Sequence, residues 1–401
     1  MNSPFRTPRT DGELRRRASI FILLEEIGDI LDITLSQFER AEQSYNAVGD
    51  WLSGSTDPLL VKTLVYLQGS SALGTAVKPI GRDEFDIDLI CFCAAVSLGV
   101  SPGRLKAAVG NRLREHKTYA GILEEKKRCW RLNYAGDFHL DLSPTIANPH
   151  CYNGGELVPD RKLHDWHPTN PKAYKKLFDA RAALQPRLTQ KMVAMKRDRA
   201  SVEPFPAYHS AKGVLRRVVQ LLKRHRDVFF ANNTDEIAPI SVIITTLAMQ
   251  SYAYCVKRHV FEDALDVLIE TIRMMPHFIE HPVIDGRTDY AVWNETTSGE
   301  NFAEGWNKDE RKPKAFEVWH ATALADLETI RDGVGHDVLT QNMQRSFGDS
   351  VTKPVLEKHL DNLRGARKSG NLLVAPALGL TTSKAAASPS SVPSNTFFGD
   401  Q

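Results

Sequence analysis

The feature that most constrains this chain is a pair of short segments in which aspartates alternate with large apolar residues. In Glu84-Phe85-Asp86-Ile87-Asp88-Leu89-Ile90, a strand puts Asp86 and Asp88 on one face and Phe85, Ile87 and Leu89 on the other. In Phe138-His139-Leu140-Asp141-Leu142-Ser143, the same geometry sets His139, Asp141 and Ser143 against Phe138, Leu140 and Leu142. If the two strands are neighbours in one sheet, three carboxylates converge, and their repulsion is severe without a cation. An all-oxygen ligand set suits Mg2+, with Mn2+ as a substitute, so Asp86, Asp88 and Asp141 read as metal-binding and catalytic. Two such ions about 3.5–4 Å apart can activate an attacking hydroxyl and stabilise a leaving pyrophosphate. Taken alone, an Asp-x-Asp strand is as readily a solvated face; its repetition and the segment ahead of it favour chemistry.

That segment is Leu67-Gln68-Gly69-Ser70-Ser71-Ala72-Leu73-Gly74-Thr75, a strand running into a Gly/Ser-rich turn. Such a turn can present backbone N–H groups and a hydroxyl to triphosphate oxygens. The surrounding pattern predicts a long helix over 13–52, strands over 63–68 and 84–93 separated by a loop over 69–82, and a helix over 104–115. Two further strands, over 127–134 and 138–145, flank the link Ala135-Gly136-Asp137, whose glycine suits a hairpin. After Pro204 the period turns helical, over 209–231, 239–258, 261–275, 315–332 and 353–368. The expected class is α+β: a mixed sheet with flanking helices, then a mostly helical second lobe. We divide the chain into a flexible arm at 1–12, a first lobe with the long N-terminal helix at 13–204, a helical lobe at 205–376 and a disordered tail at 377–401. The tail is dominated by Ser, Ala, Thr and Pro and cannot bury a core.

With 401 residues, 42% of them hydrophobic and 25% charged, the chain has material for two cores and is neither disordered nor membranous. No stretch approaches a membrane span and the amino terminus lacks an apolar signal core, so a cytoplasmic protein without a membrane partner is expected. Five scattered cysteines argue for reduced thiols; Cys91-x-Cys93 lacks a second Cys or His pair and is no zinc site. His164 and His167 likewise receive no metal. A net charge of +2 does not announce a nucleic-acid coat protein, so any polyanion must be met by a local basic patch.

The chain resembles the DNA polymerase β-like nucleotidyltransferases, whose pattern is Gly-Ser, a spacer, Asp-x-Asp and a later strand aspartate. Within them it looks most like the bacterial enzymes related to cyclic GMP-AMP synthase, the CD-NTases of CBASS antiphage operons. The likeness runs over about 13–375. It is carried by Gln68-Gly69-Ser70, Gly74-Thr75, Phe85-Asp86-Ile87-Asp88-Leu89, Leu140-Asp141-Leu142, Asn170-Pro171-Lys172-Ala173-Tyr174, Leu222-Lys223-Arg224-His225-Arg226-Asp227 and Glu300-Asn301-Phe302. The fifteen residues between Ser70 and Asp86 are more than in the simplest transferases and fit the cyclase-like branch. The zinc-binding insertion of the animal DNA sensor is absent, so no duplex-DNA requirement is implied.

By this resemblance the loop Gln68-Gly69-Ser70, with Lys223 and Ser241 on successive helices, binds the donor triphosphate. Periodicity separately places Lys223 roughly 140° from the apolar stripe of its helix. Lys212 falls on nearly the same face and is a further basic candidate; Asn301 borders the acceptor side of the cleft in relatives. The implied function is Mg2+-dependent synthesis of cyclic di- or trinucleotide second messengers from ATP or GTP, in antiphage defence. A linear-product transferase of the oligoadenylate synthase or RNA-tailing type would use the same aspartates. A module that binds nucleotide without reacting it is the other alternative. The tail end Phe397-Phe398-Gly399-Asp400-Gln401 suggests a CBASS regulatory or conjugation partner acting there.

Overall fold

In the computed structural model, residues 9–81, 84–159, 162, 164–189, 212–333, 335–375, 379–382 and 388–392 are described. The expected helix over 13–52 is two helices, α1 (Asp11–Leu31) and α2 (Leu35–Ser53). Asp32 turns extended, and Thr34 then opens α2 with a capping box in which its hydroxyl accepts from the Gln37 N–H and Gln37 bonds back to the Thr34 N–H. The break lets the two pieces serve different cores, which corrects the reading of one long helix belonging to the first lobe. Ile20, Leu23, Leu24, Ile27 and Leu31 of α1 pack into the helical lobe, whereas Ala41, Val48 and Leu52 of α2 pack on the sheet.

The sheet is mixed, as expected. Strands β1 (Thr63–Leu67), β2 (Phe85–Cys93), β3 (Leu123–Glu125), β4 (Trp130–Tyr134) and β5 (Phe138–Ala147) lie in the order β1-β2-β5-β4-β3, and β6 (Glu156–Pro159) and β7 (Trp166–Thr169) extend from β5. β1 runs antiparallel to β2, β2 parallel to β5, and β5 antiparallel to β4. Phe85, Ile87, Leu89, Phe138, Leu140 and Leu142 are buried against α2 and α4 (Pro102–Arg114), so the face carrying the aspartates is turned away from that core. The loop predicted after β1 contains the short helix α3 (Gly69–Leu73), and α5 (Lys117–Ile122) leads into β3.

The helical lobe gathers α1 with α6 (Pro171–Ala182), α7 (Val214–Phe229), α8 (Ser241–Arg258), α9 (Ala264–Met274), α10 (Arg311–Asp332), α11 (His336–Phe347) and α12 (Asp349–Lys368). α11 had no sequence counterpart. At the centre, the fully buried Trp319 donates its indole N–H to His225 Nδ1 at 3.1 Å, and His225 Nε2 meets Asp326 at 3.2 Å. α6 lies before the boundary drawn at 204/205 yet inserts Tyr174, Phe178 and Ala182 into this helical core. The buried Arg17 of α1 pairs with Asp263 and Asp266 at 2.5 Å each, and Arg9, inside the predicted arm, bonds to Glu262 and Asp266.

The tail differs from expectation where it is described: Gly379–Thr381 and Ser390–Ser391 both pair with Leu373–Ala375. Backbone pairing needs no apolar side chains, which is why composition misses it. Residues 1–8, the loop residue Arg82, Pro204 and the Phe397–Gln401 end lie outside the described residues. Among those described, the five cysteines are free thiols and no helix is long and apolar enough to cross a membrane.

Candidate active site

The parallel pairing of β2 with β5 sets Asp88 directly opposite Asp141, with Asp86 opposite His139. The three predicted carboxylates therefore share one face of two adjacent strands. Asp86 is exposed and Asp88 half-buried at the floor of a cavity of about 470 Å3. Burial and the charges of Asp141 and Asp86 push the Asp88 carboxyl up to about 6. That is the electrostatic signature of an anionic cluster short of cations.

Part of the deficit is met by a residue that sequence reading passed over. Arg131 on β4 stands in register with Asp141, grips it with two bonds of 2.7 Å and reaches Asp86 at 3.0 Å. Among the described residues, no three His, Cys, Asp or Glu side chains are gathered closely enough to hold an ion. The side chains present nonetheless fit a hard divalent cation: Asp86, Asp88 and Asp141 offer carboxylate oxygens, and Asp88 makes no ion pair among the described residues.

Above the floor, Gly69 at φ +62° turns the chain from β1 into α3, and a Cβ there would collide with the Asp88 carboxylate. Only glycine serves, by backbone and by space. Gly69→Ala is expected to lower stability by about 1–3 kcal/mol and to cut turnover; unchanged thermal unfolding would show that the turn tolerates a side chain. Gln68, whose N–H donates to the Asp88 carbonyl at 2.9 Å, and Ser70 both line the cavity.

The opposite wall comes from α7 and α8. Lys223, Arg226 and Asp227 line the cavity with Ser241, Val242 and Thr245. Lys223 is only 5% exposed, and its ammonium donates to the Thr75 carbonyl at 3.1 Å and hydroxyl at 3.3 Å. Burial pushes its pKa down to about 7; the neighbouring Arg226 acts in the same direction, while Asp227 and Asp88 oppose it. Ser241 is the first helical residue of α8, and its hydroxyl accepts from Arg226 at 3.1 Å. A third wall holds Thr169, Pro171, Tyr174 and Lys175 with Asn294, Glu300 and Phe302.

Two candidates do not reach the cavity. Lys212 is bound to Asp32 at 2.5 Å, behind the wall. Asn301 spends its amide on the backbone, accepting from Val292 and Ala303 N–H and donating to the Tyr290 carbonyl, so it shapes the loop while its neighbours Glu300 and Phe302 face the cavity. Of the aromatic side chains in this lobe, Phe302 lines the cavity, whereas Tyr252 is core, its hydroxyl donating to the Leu184 carbonyl.

Comparison with known proteins turns on the same region. Residues 27–181, spanning both aspartate strands and the Gly69 turn, match the Second Messenger Oligonucleotide or Dinucleotide Synthetase domain. Over that span the chain is similar to such a synthetase domain. It is 29% identical over 382 residues to the c-di-GMP synthase of Roseivirga ehrenbergii, covering 94% of this chain and 96% of that one. It is 25% identical over 404 residues to the cyclic dinucleotide synthase CdnG of Bradyrhizobium diazoefficiens, covering 90% and 91%. The solved structure of that CD-NTase in complex with GTP superposes with a TM-score of 0.64 at 21% identity, over 84% of this chain and 98% of the other. At that identity the superposition establishes the CD-NTase fold.

Proposed function

We propose that the protein joins nucleoside triphosphates, ATP or GTP, into cyclic di- or trinucleotide second messengers, and that it depends on Mg2+. The observation that carries this is Asp86 and Asp88 on the floor of a cavity, with Asp141 in register beside Asp88, and walls that bring Ser70, Lys223 and Ser241 together. A divalent metal held by Asp86, Asp88 and Asp141, two Mg2+ ions or Mn2+ in their place, supplies the positive charge that phosphoryl transfer draws on.

The chain's own part is binding and positioning. Ser70 offers its hydroxyl to the donor phosphates from one side; Lys223 and Arg226 offer charge from the other, and Ser241 adds a hydroxyl between them. Asp227, whose carboxylate accepts from the Arg226 guanidinium at 2.8 Å, orients that charge. An acceptor ribose hydroxyl brought against the carboxylates attacks the α-phosphate, and pyrophosphate leaves. The open cavity leaves room for a first linear product to turn over and close. The names of the Roseivirga and Bradyrhizobium relatives support ring closure.

The likeness to CBASS enzymes extends the reading to antiphage signalling in the cytoplasm, with a partner acting on the tail. Incubating the full chain with Mg2+ and all four nucleoside triphosphates should release pyrophosphate and yield phosphatase-resistant cyclic species by mass. A chain ending at Ala377 should make the same products and lose only partner coupling. A ladder of linear products would point to the oligoadenylate or tailing type, and no pyrophosphate would leave a binding module.

A further inference from the structure

Glu300 is a carboxylate that the proposed chemistry leaves unused, and the loop around it is built to hold it still. Asn294 donates its amide N–H to Glu300 at 2.6 Å, and Thr169 hydrogen-bonds to the same carboxylate. The orientation of Asn294 is itself fixed, because its amide oxygen accepts from the Thr296 N–H at 3.0 Å and hydroxyl at 2.7 Å. The Thr296 carbonyl in turn accepts from the buried Asn170 amide at 3.1 Å, which ties the loop to the start of α6. Asn294, Thr296 and Asn170 are all buried, so the carboxylate projects from a rigid base into the cavity.

The charge of Arg128 acts with Asn294 and Thr169 in favour of the ionised form of Glu300. Burial outweighs these partners and pushes its carboxyl up to about 7, so near neutrality the empty site holds both forms, and two N–H donors from a ligand favour the ionised one. Phe302 and Tyr174, edge to face at 5.9 Å, line the same wall and give a flat ring an apolar rest. A rigid acceptor pair beside an aromatic surface, in a cavity with a separate phosphate wall, has the make-up of a base-reading site.

The chemistry of the acceptor decides which base. A carboxylate accepts two parallel N–H bonds and donates none. Among the four bases only guanine presents two adjacent donors, N1–H and N2–H, on one edge. Adenine, cytosine and uracil each set at least one acceptor against an oxygen. We propose that Glu300 selects guanine for one of the two nucleotide positions by accepting N1–H and N2–H together. This rests on the proposed nucleotide-joining function, and the test separates the two.

Binding is measured by calorimetry on the full chain with GTP, inosine triphosphate and ATP, and turnover by pyrophosphate release. The intact protein should bind GTP about tenfold or more tightly than inosine triphosphate, which lacks the N2 amino group, and discriminate further against ATP. Glu300→Gln keeps the shape and replaces one acceptor by a donor, so it should lose the inosine discrimination and shift preference toward ATP by tenfold or more. Equal binding of GTP and inosine triphosphate by the intact protein overturns the proposal, as does a Glu300→Gln chain with unaltered preference. If no nucleotide turns over while GTP is still selected through Glu300, the transfer function fails and the guanine site stands.

Discussion

Replacing Asp88 by asparagine is expected to stop pyrophosphate release and, at pH 7, to make the protein more stable. The first effect should be about a thousandfold, the several kcal/mol of transition-state charge stabilisation that a metal-binding carboxylate supports. The second follows from the raised pKa. In the folded protein the carboxyl titrates near 6, because burial, Asp141 and Asp86 all oppose its charge, whereas in the unfolded chain it titrates near 3.8. Above pH 6 the folded state therefore carries a charge it disfavours, at a cost on the order of 1–3 kcal/mol. That cost falls as pH drops from 6 toward 3.8 and is absent below. Urea unfolding at pH 7 in metal-free buffer should favour Asp88→Asn over the parent, and the difference should close by about pH 4. A purely structural aspartate would lose stability on substitution; a variant that is both less stable and fully active would sink the assignment. Asp86→Ala should lose activity in the same way with a smaller change in stability, because Asp86 is exposed and already meets Arg131.

Much of this site was legible from parity alone. Alternation placed Asp86, Asp88 and Asp141 on the outward faces of their strands, and the structure agrees because Phe85, Ile87, Leu140 and their neighbours have nowhere else to go. The convergence of the strands was not legible, since β2 and β5 are parallel neighbours separated by two helices and two other strands. Arg131 had a usable signal that went unread. The link at Ala135-Gly136-Asp137 pairs Tyr134 with Phe138, and that register alone puts Arg131 beside Asp141. Lys212 failed because the helix opens only at Val214, with Gly213 at φ +80° as its N-cap, so Lys212 shares neither the helix nor the cavity with Lys223. Arg226, three residues from Lys223, satisfies both conditions and does line the wall. The break between α1 and α2 was written in Thr34 and Gln37, a capping box inside an apparently continuous helical period. Glu300 was hidden because nothing in a loop sequence says which of three consecutive residues will turn inward.

Lys223 makes the sharper prediction about pH. A lysine at the surface stays charged throughout the neutral range and leaves no mark on a rate profile. Lys223 is buried, with Thr75 as its hydrogen-bond partner among the described residues, and its pKa of about 7 means that near neutrality about half the molecules present an ammonium to the cavity and half a neutral amine. A triphosphate beside it favours the ammonium, so binding takes up a proton at any pH where the empty site has lost one. Affinity for the donor nucleotide should therefore fall above pH 7, by up to tenfold per pH unit, until the pKa of the occupied site is reached. Below pH 7 this lysine is already charged and contributes no further change. The free-enzyme profile of kcat/KM should carry an alkaline limb near 7, while the limb in kcat, which reports the occupied enzyme, should lie at higher pH. Lys223→Met should lower kcat/KM about a hundredfold at pH 7, the worth of one charge-assisted contact in a recessed site, and should abolish the alkaline limb. Lys223→Arg should abolish the limb as well while retaining more activity, since a guanidinium stays charged across the range. An alkaline limb that persists unchanged in Lys223→Met would assign the titration to another group and remove Lys223 from the phosphate wall.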